Sequence, residues 1–179
     1  MRKLLFLLIL FFCNSIAFSS DQGVVGIIDM PSARMNKDGT FTSNISKEEL
    51  VDTYSINYQA SPWLETGFKY AAFQKMERFD RSYELKIKIL NESNQLPAVS
   101  VGLRDFLGTG IYSSEYIVGS KKLYNLDYSL GLGWGRMSSS NISDNPLLII
   151  SDDYKSRSLN VGKGGTPSIN TFFRGPYVG

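Results

Sequence analysis

Few side chains in this 179-residue sequence are of a type that could take part in catalysis. Asp105 and Glu115 are carboxylates of the kind that glycosidases use as acid and base on a sugar polymer. No companion motif accompanies them and nothing fixes their separation, so we expect structural ion pairs instead. The chain has no His, the commonest general base, and its one Cys lies in the predicted leader. We therefore predict that the chain is not an enzyme and that it has no catalytic site, metal site or cofactor.

A second candidate site is the stretch 104–110, "RDFLGTG", because glycine-rich loops can hold phosphate groups. It lacks the Gly-Lys-Ser/Thr ending of a phosphate-binding loop, and no predicted helix follows it. We interpret it as a tight loop in which Gly108 and Gly110 adopt dihedral angles that other residues avoid.

Basic side chains form the third candidate group, because they fall on the polar faces or at the ends of predicted strands: Lys69, Lys86, Lys88, Arg104, Lys121 and Arg136. In a closed barrel they would face the lumen and could guide an acidic polysaccharide. The simpler interpretation is that most of them pair with neighbouring carboxylates, namely Glu65, Glu84, Glu115 and Asp105. Lys86 and Lys88 are the expected exceptions, because two like charges on one strand face need compensation from outside that strand.

The segments that carry these side chains alternate between apolar and polar residues, which is the period of a β-strand. In residues 128–136, "YSLGLGWGR", large apolar side chains alternate with Ser or Gly. Similar alternation occurs at 40–46, 51–58, 65–70, 83–89, 98–104 and 114–121. No segment shows a convincing helical period. The sequence therefore predicts an all-β protein with about seven strands.

The connections between these strands alternate in length. Short turns such as "ASPW", "NESNQLP" and "LYNL" are interleaved with longer loops: "QKMERFDRS", "DFLGTGIYSS" and residues 137–172. This asymmetry is typical of outer-membrane barrels. We predict an antiparallel up-and-down transmembrane β-barrel whose lipid-facing side chains include Leu85, Ile87, Val99, Val101, Leu130, Leu132 and Trp134. A soluble β-barrel with the apolar face inside has the same alternation and stays open as the alternative.

The N-terminus has the features of a secretory signal peptide over residues 1–17. Arg2 and Lys3 precede an apolar run at 4–13 and small residues follow it, whereas Phe12 occupies the position where lipoprotein signals carry a small residue. We expect no lipid on Cys13. Cleavage removes two basic residues and leaves 17 Lys and Arg against 17 Asp and Glu. A neutral chain gives no indication of a nucleic-acid-binding surface. We assign 18–39 to a periplasmic lead segment and 40–179 to a partial barrel.

Several stretches of the chain resemble the YjbH-like family: "GVVGIIDMPSARM", "SPWLETGFKY", "LPAVSVGLRDFLGTGIYSSEYIVGSK" and "LDYSLGLGWGR". These are outer-membrane β-barrel proteins associated with exopolysaccharide or capsule export in Gram-negative bacteria. The resemblance implies an outer-membrane location and a role in exopolysaccharide or capsule export or assembly. Outer-membrane lipid, a polysaccharide and sibling export proteins are the implied partners. Because family members are several times longer, we expect a truncated chain that holds the N-terminal portion of an incomplete barrel.

Two other functions remain open on the sequence alone. One is a general porin-like channel, which would conduct ions through its lumen. The other is a soluble periplasmic β-barrel that binds a glycan.

Overall fold

The computed structural model describes residues 24–27, 30–75, 78–138, 144–158, 161–167 and 169–178. The predicted signal peptide lies outside the described residues. Within them the chain forms strands β1 Gly26–Ile27, β2 Met30–Pro31, β3 Phe41–Lys47, β4 Val51–Ser61, β5 Leu64–Phe73, β6 Arg78–Leu90, β7 Ala98–Arg104, β8 Ser114–Leu123, β9 Leu126–Gly135 and β10 Tyr177–Val178. Three short 3-10 helices follow β9, at Pro146–Ile149, Asp152–Lys155 and Ile169–Thr171. The all-β prediction is confirmed.

Strands β3 to β10 form one eight-stranded sheet in which each strand pairs with the next along the chain. Every pairing is antiparallel, and the seven predicted strands correspond to β3 through β9. Strands β1 and β2 pair separately as a small antiparallel ribbon. In the part of the chain that is described, β3 and β10 are the two edges of the sheet, and no closed barrel is present.

Strand β6 begins at Arg78, whereas the sequence alternation predicts its start at residue 83. The alternation continues through the added residues, because Phe79 is exposed while Asp80 and Ser82 are buried. The connection between β5 and β6 is therefore only residues 74–77, and the predicted loop "QKMERFDRS" is wrong over its second half. The polar residues "DRS" suggest a loop in the sequence although they lie in a strand.

The sheet buries its polar face and exposes its apolar face. In β4, Ser55 and Asn57 are 2% and 3% exposed, while Tyr54 and Ile56 are 40% and 44% exposed. The same division holds along β6, where alternate polar side chains are buried: Asp80, Ser82, Glu84 and Lys86. A water-soluble sheet has the opposite arrangement, with its apolar side chains packed in the core.

Residues 24–27 and 30–36 are the part of the predicted lead segment that lies against the buried polar face, and we keep the name lead segment for them. The Ala33 amide donates to Ser120 Oγ at 2.8 Å, and the Asn36 amide donates to Gln59 Oε1 at 3.0 Å. Beside them lies a small apolar cluster of Ala33, Ala98, Tyr116 and Val118, with Met137 packed against it. The polar face is therefore covered by backbone and by this cluster.

Glycine on the polar face makes room for a bulky neighbour at two positions. A Cβ on Gly102 would lie 2.1 Å from Tyr116 Cζ, so the Tyr116 ring occupies the space that a side chain would need. A Cβ on Gly133 would lie 3.1 Å from Met137 Cβ. In "YSLGLGWGR", the absence of a side chain at Gly133 thus allows Met137 to lie close to the sheet.

The segment after β9 packs on the apolar face at the end of that strand. Trp134 is 1% exposed because the rings of Phe173 and Tyr177 lie 5.2 and 6.3 Å from its own. Asn145 holds this segment together: its Nδ2 donates to the carbonyl oxygens of Tyr154, Phe173 and Gly175 at 2.9–3.1 Å.

Candidate functional site

The centre of the polar face is an ion pair between Lys86 and Glu65. Antiparallel pairing of β5 and β6 places the two residues directly opposite each other. Lys86 Nζ lies 2.6 Å from Glu65 Oε2, and both side chains are shielded from solvent. The cost of taking such a pair out of water is offset only when the two charges are close and further hydrogen bonds satisfy their remaining atoms. The expectation that Lys86 lacks a pairing partner is therefore wrong, because the register supplies one from the neighbouring strand.

The same pair also binds the lead segment. Lys86 Nζ donates to the carbonyl oxygens of Val25 and Arg34, each at 3.0 Å. Glu65 Oε1 accepts from the Val25 amide at 3.0 Å. The compensation that Lys86 needs from outside its strand thus comes from a carboxylate and from two backbone carbonyls. The ion pair fixes the position of residues 25 and 34 on the sheet.

Further basic side chains line the polar face near this pair. Arg104 Nε lies 3.7 Å from Glu84 Oε1 across β6 and β7, as the predicted pairing with neighbouring carboxylates requires. Lys69 is buried, and its Nζ lies 3.6 Å from the centre of the Tyr112 ring. Lys88 is half-buried, one position further along the same face of β6.

Arg34 anchors the lead segment to the short turns at one end of the sheet. Its guanidinium donates to both carboxylate oxygens of Asp127 at 2.7 and 3.0 Å and also to Glu92. The hydrogen bond to Asp127 is the main cause that raises the pKa of Arg34. The Lys122 amide and Arg34 lower the pKa of the Glu92 carboxyl. These contacts join three parts of the chain that lie far apart in sequence.

Two of the six basic residues lie away from the polar face. Lys121 Nζ donates to the carbonyl oxygens of Ser93, Asn94 and Leu96, which belong to a short turn. Arg136 is exposed, just after β9. The structure therefore brings together Lys69, Lys86, Lys88 and Arg104, but not these two.

The seven apolar residues predicted to face lipid all lie on the opposite side of the sheet from Lys86. Six are exposed or half-buried: Leu85, Ile87, Val99, Val101, Leu130 and Leu132. The seventh, Trp134, is covered by the segment after β9. In this chain Trp134 packs against protein, because two aromatic rings lie on it.

The two carboxylates considered for catalysis have different partners and surroundings. Glu115 accepts two hydrogen bonds from Arg157, at 2.5 and 3.0 Å, and one from the Phe173 amide at 2.9 Å. Asp105 Oδ2 accepts from the Tyr112 amide at 3.1 Å. The expected pairing with one of the six basic residues is therefore wrong for Glu115, whereas the charge of Lys69 acts on the Asp105 carboxyl and favours its ionised form. Sequence reasoning missed Arg157 because it lies 42 residues from Glu115, in a segment without strand periodicity.

The described residues give no indication of a metal centre or a membrane-spanning helix. No group of three or more side chains of the metal-binding types comes together among them. No helix within the described ranges is long and apolar enough to cross a membrane.

Comparison with known proteins gives a family and one relative. Residues 19–178 match the YjbH family, which is described as "Exopolysaccharide biosynthesis protein YbjH". The "Uncharacterized lipoprotein YjbH" of Escherichia coli (strain K12) is 36% identical over 169 residues, which cover 88% of this chain and 24% of that protein. The chain therefore spans a minor part of the length of this relative. No solved structure matches the chain.

Proposed function

Because this chain belongs to the YjbH family of exopolysaccharide biosynthesis proteins, we propose that its sheet forms part of the wall of an outer-membrane β-barrel. In this proposal the barrel assists the export or assembly of an exopolysaccharide or capsule. Its role is that of a passive scaffold or passage, with energy supplied by sibling export proteins, and the chain itself is not an enzyme.

The observation that carries the proposal is the inverted sheet, polar on its buried face and apolar on its exposed face. Large apolar patches are rare on the surface of soluble monomers, because water disfavours them. Lipid removes that penalty, and strand pairing satisfies the backbone groups within the sheet. Strands β4, β5, β8 and β9 have 10 or 11 residues. Tilted strands need roughly 9–11 residues to cross the hydrocarbon core.

Aromatic side chains near both ends of the strands support the same assignment. Near one end, Tyr70 lies 6.5 Å from Tyr54 and 5.7 Å from Phe79, measured between ring centres. At the other end, Trp63 and Tyr124 occupy the short turns and are 54% and 97% exposed. Tyr and Trp are enriched where a membrane meets water, because one end of the ring is apolar and the other is wet.

The polar face favours a filled interior over an open pore. The lead segment lies on it, and Lys86 and Arg104 are each paired with a carboxylate. A porin-like channel would need a water-filled lumen along this face. Planar bilayers that contain the full-length protein should therefore stay electrically quiet, whereas steady conductance would favour the porin alternative.

A pair of adjacent residues tests the membrane assignment directly. Ile56 is on the exposed apolar face and Asn57 is on the buried polar face. The experiment attaches spin labels to Ile56→Cys and Asn57→Cys in the full-length protein, reconstituted in vesicles. Collision rates of each label with oxygen and with a nickel chelate are then measured, and the two labels should differ in both rates. We expect the label at 56 to meet lipid-soluble oxygen and to be protected from a water-soluble nickel chelate, and the label at 57 to be protected from oxygen. A label at 56 that is open to the chelate would favour the soluble glycan-binding barrel.

Attachment by a lipid is tested separately from attachment by strands. The Escherichia coli relative is named a lipoprotein, whereas Phe12 argues against lipid on Cys13 in this chain. The variant Cys13→Ser should stay in outer membranes washed with alkaline carbonate, because the strands hold it there. Release of the variant, but not of the parent, would show that a lipid anchors the protein.

The polysaccharide role is tested in cells. Removing the gene should lower the amount of polymer at the cell surface, and the full-length gene should restore it. Unchanged polymer would contradict the proposed function without bearing on the membrane assignment.

A further inference from the structure

Two loops at one end of the sheet enclose a cleft. Residues 105–113 connect β7 to β8, and the second loop consists of residues 157–158, 161–167 and 169–172 of the segment after β9. The Gly162 amide donates to Thr109 O at 2.8 Å, and the Gly165 amide donates to Leu107 O at 2.7 Å. The space between the loops is about 440 Å³. This volume is within the range of sites that hold small molecules.

Glycine lets the two loops approach each other. Gly164 has a φ of +79°, and a Cβ there would lie 3.2 Å from Gly108 O. A Cβ on Gly108 would lie 1.7 Å from Asp105 Oδ1 and 2.3 Å from Arg81 O. Side chains at these positions would push the loops apart or displace Asp105. Close contacts therefore require glycine at both positions, and the two glycines allow the loops to lie close enough to enclose the cleft.

Asp105 supplies a hydrogen-bond acceptor in the cleft wall. The residue is 3% exposed and lines the cleft. Its Oδ2 accepts from the Tyr112 amide and the Gly110 amide also lies close to the carboxyl, whereas Oδ1 accepts no hydrogen bond from the described residues. A buried carboxylate oxygen without a partner is costly, and a hydroxyl group donated by a ligand would satisfy it.

The remaining lining is apolar or uncharged for the most part. Phe106 and Phe172 present half-buried rings, and the Ser113 and Ser158 hydroxyls lie beside them. Arg157 also lines the cleft, but Glu115 neutralises its charge through two hydrogen bonds. Lys163 is the other cation of the lining, and it is exposed to solvent. A phosphate group would lie beside the Asp105 carboxylate, which repels it, and one exposed lysine offsets little of that repulsion. A carboxylate acceptor, hydroxyls and aromatic rings instead suit a sugar ring, which has donor hydroxyls and an apolar face.

We propose that this cleft binds a saccharide unit of the exopolysaccharide that the protein handles. The identity of the polymer rests on the proposed function, whereas the chemical class of the ligand rests on the cleft. Asp105 accepts a hydroxyl of the sugar, and the ring of Phe172 packs against its C–H face. The cleft lies at the end of the strands opposite to the turns that hold Arg34. The saccharide therefore binds at the far end of the wall from the lead segment.

The test measures binding to the full-length protein in detergent micelles. The probes are oligosaccharides released by mild acid from the exopolysaccharide of the cells that make the protein, followed by saturation-transfer NMR and calorimetry. In Asp105→Asn the one side-chain oxygen stays hydrogen-bonded to the Tyr112 amide. The side-chain N–H₂ group then takes the place of Oδ1, so a donor faces the ligand where the parent has an acceptor. We expect this variant to lose about tenfold or more in affinity, as one charge-assisted hydrogen bond predicts. Phe172→Leu should weaken binding several-fold.

A matched control is Asp38→Asn, the same change at an exposed turn near the opposite end of the sheet. It should bind like the parent. Equal affinity of the parent, Asp105→Asn and Phe172→Leu would overturn the proposal, as would competition by inorganic phosphate in place of the sugar. Saccharide binding is read on purified protein and export is read in cells. Loss of export on gene removal without any saccharide binding would overturn the cleft assignment and leave the proposed function standing.

Discussion

Lys86 and Glu65 face each other across β5 and β6, with their charged groups 2.6 Å apart and neither in contact with water. The pair also holds the backbone of Val25 and Arg34, so one interaction joins the sheet to the lead segment. In the membrane wall that we propose, the charges of Lys86 and Glu65 are therefore compensated by each other and by backbone groups of the lead segment.

Removing one member of that pair should destabilise the protein strongly. Lys86→Met leaves Glu65 as a buried charge without its cation, and loss of one partner of a buried pair costs about 3–5 kcal/mol. The free energy of unfolding in urea, measured on the full-length protein in lipid vesicles, should fall by this order. The exposed Lys75 provides the control, and Lys75→Met should change little.

The double variant Lys86→Met/Glu65→Gln separates the charge from the packing. The amide oxygen that Glu65→Gln leaves in place can still accept from the Val25 amide, so the double variant should recover much of the lost stability. If the double variant is as unstable as Lys86→Met, the unpaired charge is not the cause.

Breaking the Arg34 bridge should loosen the lead segment without unfolding the sheet. Arg34→Gln removes the two-point contact with Asp127 and the contact with Glu92, which lie near the surface, so the expected loss is only about 1 kcal/mol. Hydrogen exchange should speed up at the amides of residues 25 and 33 and stay slow in β5 to β7. Lys37→Gln, three residues along, is the control. Unchanged exchange at both amides would show that the segment is held without Arg34.

Two glycines in neighbouring strands should respond differently to the same substitution. Gly102→Ala places a Cβ 2.1 Å from Tyr116 Cζ, and the ring is buried in the cluster with Ala33, Ala98 and Val118. Overpacking of this kind typically costs about 1–3 kcal/mol. Gly119→Ala meets no heavy atom nearer than 3.8 Å, so it should be neutral or slightly stabilising. Urea unfolding of both variants tests this, and equal effects would contradict the packing described for Tyr116.

The sequence predicts the strands well because alternation is a local property. Residues 128–136 and β4 show it within a few positions, and the two faces follow from it. Register is not local: the pairing of Lys86 with Glu65 depends on where β5 ends and β6 begins, and the polar residues at 80–82 hide the start of β6. The contact of Glu115 with Arg157 depends on a loop that has no period at all. The candidate cleft was therefore visible in the sequence only as the glycines of "RDFLGTG".

The Asp105 carboxyl should make the stability of the full-length protein depend on pH. Burial raises its pKa to about 6 from the ordinary value of 3.8. A group that binds its proton more tightly in the folded state adds stability below its unfolded pKa, and this contribution is lost as pH rises through 6. The parent should therefore lose stability relative to Asp105→Asn between about pH 4 and 7. A constant difference in unfolding free energy across this window would contradict the raised pKa.

The segment that covers Trp134 with the rings of Phe173 and Tyr177 should stay in place only while the Asn145 side chain holds it. Asn145→Ala removes a donor from three backbone carbonyls. Tyr154 O still accepts from the Gly175 amide, whereas the carbonyls of Phe173 and Gly175 lose this donor, and a group left without a partner costs about 1–3 kcal/mol when it stays buried. Because the segment can instead open toward its surroundings, we expect it to detach and uncover Trp134. In a Trp63→Phe background, Trp134 is the only tryptophan among these 179 residues, and acrylamide should quench its emission several-fold more strongly after Asn145→Ala. Asn94→Ala, at an exposed turn, should leave quenching unchanged. If Asn145→Ala also leaves it unchanged, the contacts of Phe173 and Tyr177 with Trp134 hold the cover in place without Asn145.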